Sequence, residues 1–306
     1  MSYENSDFLV KTDWLDTHLQ DADLRLLEVT GVLSPGRQNI AKETCFDRHH
    51  IPGAVFLDVA SHGGVFSDPN GEFPLTWPTP EQFEGLMGNL GVDNDSHVVL
   101  YASTAGQRLY SCAMWCTRAW WIMHHFGVRC AILNGALEKW IAEGRPITSA
   151  PGNYLATRFR ANPKWVRAIA YKQDVLEALQ GDGSQCVVDA LPSQSFYLGT
   201  SEVVYGPRKG HMAGAVSLPM PYLVDWETAV FASTQEMRAL FEEADVLSAE
   251  RIITYCGGGG CATTVAFALA LLGCTRVAMY DNNLYEWGAD PTLPMADPSR
   301  ADGEPA

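Results

Sequence analysis

Arg251-Ile252-Ile253-Thr254-Tyr255-Cys256-Gly257-Gly258-Gly259-Gly260-Cys261-Ala262-Thr263-Thr264 passes from a β-branched apolar run, through four glycines, into the helical-looking stretch Val265 to Leu272. That order predicts a buried strand, a loop and a helix, with a thiol at the point where the strand ends. Backbone N–H groups gathered in such a loop, just ahead of a helix N-terminus, favour sulfur held as an anion. Glycine lets the backbone curl so that those groups converge without Cβ obstruction.

Working outward, the same kind of unit is found to be written twice. His50-Ile51-Pro52-Gly53-Ala54-Val55-Phe56-Leu57 returns as His211-Met212-Ala213-Gly214-Ala215-Val216-Ser217-Leu218. Val98-Val99-Leu100-Tyr101-Ala102 returns as Ile252-Ile253-Thr254-Tyr255-Cys256, and Leu137-Glu138-Lys139-Trp140 as Leu284-Tyr285-Glu286-Trp287. The three matches keep their order at similar offsets of 161, 154 and 147 residues, which indicates a duplicated domain. The alignment sets Ala102 opposite Cys256.

Each half alternates short apolar strands with longer helical stretches. Strands are expected at Leu24 to Val29, Ala54 to Asp58, His97 to Ala102 and Cys130 to Asn134 in the first half. In the second they are expected at Cys186 to Asp189, Ala215 to Pro219, Arg251 to Cys256 and Arg276 to Asp281. Helices are expected at Thr79 to Leu90, where Gln82 completes a capping box, and at Met114 to Phe126, Thr234 to Glu243 and Ala262 to Leu272. The fold class is therefore α/β: two tandem domains, each a mostly parallel sheet flanked by helices on both faces. The domains are placed at 1–150 and 163–290, joined by the aperiodic stretch Thr148 to Pro163. The tail 291–306, rich in Pro, Ala, Asp and Gly, is expected to be disordered.

A chain of 306 residues with 47% apolar content fills two ordinary cores. Its net charge of -15 repels phosphate backbones and anionic lipid, so nucleic acid is not an expected partner. Met1 to Leu19 carries Glu4, Asp7, Lys11, Asp13 and Asp16, a pattern unlike a signal peptide, and no stretch approaches a membrane span. Eight cysteines without framework spacing point to a reducing, cytoplasmic setting. A monomer or weak oligomer is expected.

Three chemistries compete for the loop. Gly257-x-Gly259-x-x-Ala262, with Asp281 ending the next strand, fits a dinucleotide fingerprint, but too little chain follows it to complete the βαβαβ unit. A cysteine phosphatase also holds a thiolate in such a loop, yet needs a guanidinium there to grip phosphoryl oxygens; Gly257 to Thr264 contains no Arg or Lys. Sulfur transfer needs a loop that stabilises first a thiolate and then a persulfide. A buried structural cysteine beside a glycine turn is the plain alternative.

The chain resembles the tandem-domain rhodanese sulfurtransferases, the group that includes thiosulfate and 3-mercaptopyruvate sulfurtransferases. The resemblance is carried by the stretch His50 to Asp58, Leu90-Gly91-Val92, Val98 to Tyr101, Val188-Asp189-Ala190, Gly210 to Ala215, Tyr255 to Gly260 and Glu286-Trp287-Gly288. It implies a catalytically silent first domain, with Ala102 at the cysteine position. It also implies a second domain whose Cys256 carries sulfur as a persulfide, cradled by Gly257, Gly258, Gly259, Gly260, Cys261 and Ala262. Sulfane sulfur would pass from a small donor of the thiosulfate or 3-mercaptopyruvate class to a thiol or cyanide-type acceptor, with no metal or organic cofactor. A non-catalytic sulfur-sensing or interaction module of the same fold is the alternative. Relatives that use anionic donors carry arginines where this chain has Leu191 and Phe196, which leaves the donor open.

Arg208 and Lys209 stand nearby as substitutes or as solvated loop charges. Asp189, Phe196, Arg208 and Trp287 are candidate pocket residues. Cys261 has two readings, a small residue that starts a helix or a second thiol able to attack a persulfide or oxidised Cys256. Cys112 and Cys116 with His124 and His125 are read as packing of one amphipathic helix rather than as a zinc site. His50 and His211 are read as residues that orient the turns they begin.

Overall fold

The computed structural model describes residues 3–105, 111–163 and 168–298, and the chain divides into two compact units. One holds residues 6–166 and 224–231; the other holds 1–5, 167–223 and 232–306.

In the first unit, strands β1 (Leu9–Val10), β2 (Leu24–Glu28), β3 (Val55–Phe56), β4 (His97–Tyr101) and β5 (Arg129–Leu133) form one sheet in the order β1-β5-β4-β2-β3. Every pairing is parallel. Helices α1 (Thr12–His18), α2 (Pro80–Asn89), α3 (Ala113–His125) and α4 (Leu137–Ala142) surround it. In the second unit, β6 (Ile169–Ala170), β7 (Gln185–Asp189), β9 (Val216–Ser217), β10 (Arg251–Tyr255) and β11 (Val277–Tyr280) form a second parallel sheet in the order β6-β11-β10-β7-β9. A two-stranded antiparallel ribbon of β8 (His211–Met212) and β12 (Met295–Ala296) lies outside it. The helices here are α5 (Lys172–Gln180), α6 (Gln194–Tyr197), α7 (Thr234–Glu243), α8 (Gly260–Leu271) and α9 (Asn283–Ala289). The two strand orders are the same, as a duplication requires.

The repeat extends to individual hydrogen bonds. Glu28 pairs with Tyr101 in register, and Asp189 pairs with Tyr255. The hydroxyl of Tyr101 accepts the N–H of Ile51 at 3.1 Å, and that of Tyr255 accepts the N–H of Met212 at 3.1 Å. Trp140 donates its indole N–H to the Pro146 carbonyl, and Trp287 donates its own to the Pro294 carbonyl. Buried polar groups must be paired, so these bonds dictate where each turn crosses its sheet.

Local chemistry sets the helix ends. Thr79 and Gln82 form the expected capping box on α2, and Ser233 with Glu236 forms another on α7. Helix α8 is buried along its whole length. Its large apolar side chains, Val265, Phe267, Leu269 and Leu271, each contribute about 1.5–3 kcal/mol on burial. At its C-terminal end, the carbonyl of Ala270 accepts from the Asn5 side chain at 2.8 Å, and that of Leu271 accepts the Glu4 N–H at 3.1 Å. Gly273, at φ 82°, then turns the chain away.

Two expectations are corrected. The stretch Thr148 to Pro163 belongs to the first unit rather than forming a linker. Thr148 bridges to His50, the Gly152 N–H reaches the Ala54 carbonyl, the Thr157 N–H reaches the Gly88 carbonyl, and Phe159 is buried. Its backbone is paired with turns and a helix end rather than with a strand of the sheet, so it shows no period. Likewise residues 291–298 are bound, through β12 and the carbonyls of Leu293 and Pro294. The rest of the expected tail, 299–306, lies outside the described residues.

Candidate active site

Cys256 directly follows β10, and its backbone is fixed from two sides. Its N–H donates to Asn283 Oδ1 at 2.7 Å, and its carbonyl accepts the Leu284 N–H at 3.1 Å. Asn283 is fully buried, sits at φ 51° and donates through Nδ2 to the Asp281 carbonyl at 2.7 Å. Asparagine is among the few side chains that tolerate this left-handed backbone, and here it bridges two strand ends.

The loop turns back over the sulfur. Gly259, at φ 96°, caps α8, and its N–H reaches Cys256 Sγ at 3.0 Å. A Cβ on Gly257 would lie 2.2 Å from the Tyr205 ring, so that ring rests against the loop backbone. Burial opposes ionisation of Cys256. The Cys261 thiol and the N–H groups of Ala262, Gly259 and Gly258 outweigh it and bring the thiol down to about 7. Cys261 is pushed the opposite way, first because it donates to Cys256 and then by its own burial. Of the two thiols, Cys256 is therefore the one that ionises first. Hydrogen bonds to a charged group contribute about 1.5–3 kcal/mol each, sufficient to overcome the cost of burying the thiolate.

Asp189 is brought to the same sheet edge but does not face the sulfur in any hydrogen bond. Its Oδ2 accepts the Tyr255 hydroxyl at 2.8 Å and its Oδ1 accepts the Leu191 N–H at 2.9 Å. Burial raises its carboxyl to about 6 against both bonds. Phe196, Leu191, Tyr205, Lys209, Leu284 and Arg208 line a narrow cavity beside the loop. Arg208 is neither a solvated charge nor a free clamp: its guanidinium donates to the carbonyls of Gly288, Leu293, Trp287 and Asp290. Trp287 is fully buried against Tyr280 and does not line that cavity.

The first unit keeps the frame without the thiol. The Ala102 carbonyl accepts the Leu137 N–H at 2.9 Å, as the Cys256 carbonyl accepts that of Leu284. Glu28 stands where Asp189 stands; Thr30 donates to its Oε1, while Oε2 is buried without a partner. Burial above all, with Glu138 adding to it and Thr30 opposing, raises Glu28 to about 7.

The remaining candidates take structural positions. His50 Nδ1 meets the Phe46 carbonyl at 2.8 Å, and His211 Nδ1 meets the Tyr197 carbonyl at 2.8 Å while stacking on the Tyr197 ring. Cys112 and Cys116 are buried along α3, and His124 stacks on Trp120. Among the described residues no three His, Cys, Asp or Glu side chains converge as metal ligands. Reading the sequence missed Asn283, Tyr205 and the Tyr255 hydroxyl. The pair Asn282-Asn283, just after a strand and before the repeated Leu284, was the available signal.

A doubled parallel sheet with one cysteine loop at a strand end defines the class, and the chain belongs to the rhodanese-like domain family, matched over residues 11–143 and 172–290. It is a sulfurtransferase, with relatives of that activity along nearly its full length. It is 33% identical over 296 residues to the 3-mercaptopyruvate sulfurtransferase of Escherichia coli (strain K12), covering 95% of this chain and 98% of that one. With the thiosulfate sulfurtransferase of Mus musculus it shares 34% identity over 287 residues, 91% of each chain. The crystal structure of the 3-mercaptopyruvate sulfotransferase SseA from Escherichia coli superposes with a TM-score of 0.75 at 30% identity, over 90% of this chain and 97% of that one. No helix among the described residues is long and apolar enough to cross a membrane.

Proposed function

We propose that Cys256 transfers sulfane sulfur through a persulfide. The thiolate attacks the outer sulfur of a small donor; a new S–S bond forms, and the donor's bond to that sulfur breaks with its electron pair. From a thiosulfate-type donor sulfite leaves, and from a mercaptopyruvate-type donor the enolate of pyruvate leaves and takes up a proton. A thiol or cyanide then attacks the outer sulfur and returns the electron pair to Cys256. The observation that carries this reading is a buried Cys256 at the end of β10 whose Sγ accepts the Gly259 N–H at 3.0 Å, in a cation-free loop that lowers its thiol to about 7.

The donor is selected in the cavity beside the loop. Leu191 is buried there, Phe196 and Tyr205 face it with ring centroids 6.0 Å apart, and Arg208 is committed to carbonyls. That leaves Lys209 as the cavity cation able to meet a donor's charge. Replacing Cys256 by Ser should abolish transfer to cyanide and to a thiol, measured in parallel with thiosulfate, 3-mercaptopyruvate and glutathione persulfide. Retained turnover in that variant would sink the assignment.

A further inference from the structure

Cys261 is the one residue of the loop whose side chain, rather than backbone, meets the sulfur. It lies in the first turn of α8, beside the Gly259 N–H that reaches Cys256 Sγ at 3.0 Å, and its thiol and that of Cys256 act on each other electrostatically. Both residues are almost closed to solvent, at 2% exposure for Cys256 and 4% for Cys261. The four residues between them are all glycine, the residue with the widest backbone freedom. Contact, enclosure and a compliant connection are what an internal thiol-disulfide exchange requires, because the attacking group is already held beside the sulfur.

We propose that Cys261 resolves the Cys256 persulfide, closing a Cys256–Cys261 disulfide and discharging the carried sulfur as sulfide. The proposal rests on the persulfide reading above. A persulfide is already at the oxidation level of a disulfide, so no external oxidant is needed. The Cys261 thiol gives its proton to the terminal persulfide sulfur. The Cys261 thiolate then attacks Cys256 Sγ, the new S–S bond forms, and the old one breaks with its electron pair going to the departing hydrosulfide. The two thiols return when a dithiol reductant supplies two electrons and two protons and is itself oxidised to a disulfide. The enzyme would thus release sulfide with a dithiol as its second substrate, alongside transfer to an external thiol.

The step places geometric demands on the loop. A disulfide needs an S–S length of about 2.05 Å and a Cα separation of about 4.4–6.8 Å. The four glycines between the two cysteines are the part of the loop that must move to reach it. Tyr205, packed on Gly257, covers the same loop and hinders a bulky external thiol more than the internal one.

The test uses the full chain, reduced and freed of small thiols, loaded with one equivalent of thiosulfate or of 3-mercaptopyruvate in separate arms. In the arm that loads, the wild type should release close to one sulfide per Cys256. Its tryptic peptide 252–276, which carries Cys256, Cys261 and Cys274, should lose two hydrogens, with Cys256 and Cys261 protected from alkylation until dithiothreitol is added. Cys261→Ser keeps a hydrogen-bond donor and should stop at the persulfide, gaining the mass of one sulfur atom on Cys256 and releasing sulfide at least tenfold more slowly. A wild type that retains the extra sulfur on Cys256 and forms no disulfide overturns the resolving role while leaving the persulfide intact. Sulfide release that is equally fast in Cys261→Ser overturns it as well. If Cys261→Ser gains no sulfur from either donor, the persulfide reading itself fails and takes this one with it.

Discussion

Asn283→Ala is the substitution that most directly tests how the cysteine is held. The side chain satisfies the N–H of Cys256 and the carbonyl of Asp281, each at 2.7 Å in a fully buried setting. Truncation removes the side-chain partner of one buried donor and of one buried acceptor, at about 1–3 kcal/mol each. It also places a Cβ-bearing residue with no side-chain compensation at φ 51°, adding about 1–2 kcal/mol. Allowing for non-additivity among groups in contact, the catalytic unit should lose on the order of 3–5 kcal/mol. Asn283→Gly breaks the same bonds without the left-handed cost and should therefore be more stable than Asn283→Ala by about 1 kcal/mol. Urea unfolding followed by tryptophan fluorescence and far-ultraviolet circular dichroism, fitted with separate transitions for the two units, measures both. Hydrogen exchange in peptide 252–276 localises the change to the loop. A loss below about 1 kcal/mol in Asn283→Ala, or a glycine variant less stable than the alanine one, would refute the reasoning.

Two further predictions concern charge. Alkylation of Cys256 by iodoacetamide should reach half its maximal rate near the pH at which the thiol ionises, about 7. Because Cys261 donates to the anion, Cys261→Ala should move that midpoint upward by about 1–2 units, and an unmoved midpoint would remove the hydrogen bond from the account. Glu28, raised by burial from 4.5 to about 7, binds its proton more tightly folded than unfolded. Its stabilising contribution is therefore complete below about 4.5 and is lost as pH rises through about 7. Stability of the first unit should fall by about 3 kcal/mol between those limits, and Glu28→Gln should flatten that slope in urea melts at pH 5 and pH 8.

The central strands were legible because they are apolar on both faces and five residues long, as at Leu24–Glu28 and Arg251–Tyr255. Their twofold repetition made the duplicated architecture readable as well. The edge strands Leu9–Val10 and Ile169–Ala170 were not, since two residues carry no period. Cys256 announced itself through its glycines, whereas Asn283 works through a single side-chain oxygen reaching 27 positions back, a contact that only folding creates. Arg208 misled for a related reason: a charge in a polar stretch reads as exposed, but this one gathers four carbonyls from the segment around Trp287.

The bonds from Glu4 and Asn5 to the end of α8 have a bearing on biosynthesis. Asn5 finds its carbonyl partner 265 positions later, and Tyr3 donates to the Ala232 carbonyl across 229. These residues must therefore wait for partners 229 and 265 positions further on. Contacts of such long range slow folding, because loop closure must precede the contacts that reward it. The first unit contains residues 6–166 and only the short return 224–231, so it gathers most of its partners during synthesis. The sulfur-bearing helix, by contrast, completes its C-terminal end only when residues 4 and 5 are brought to it across most of the chain.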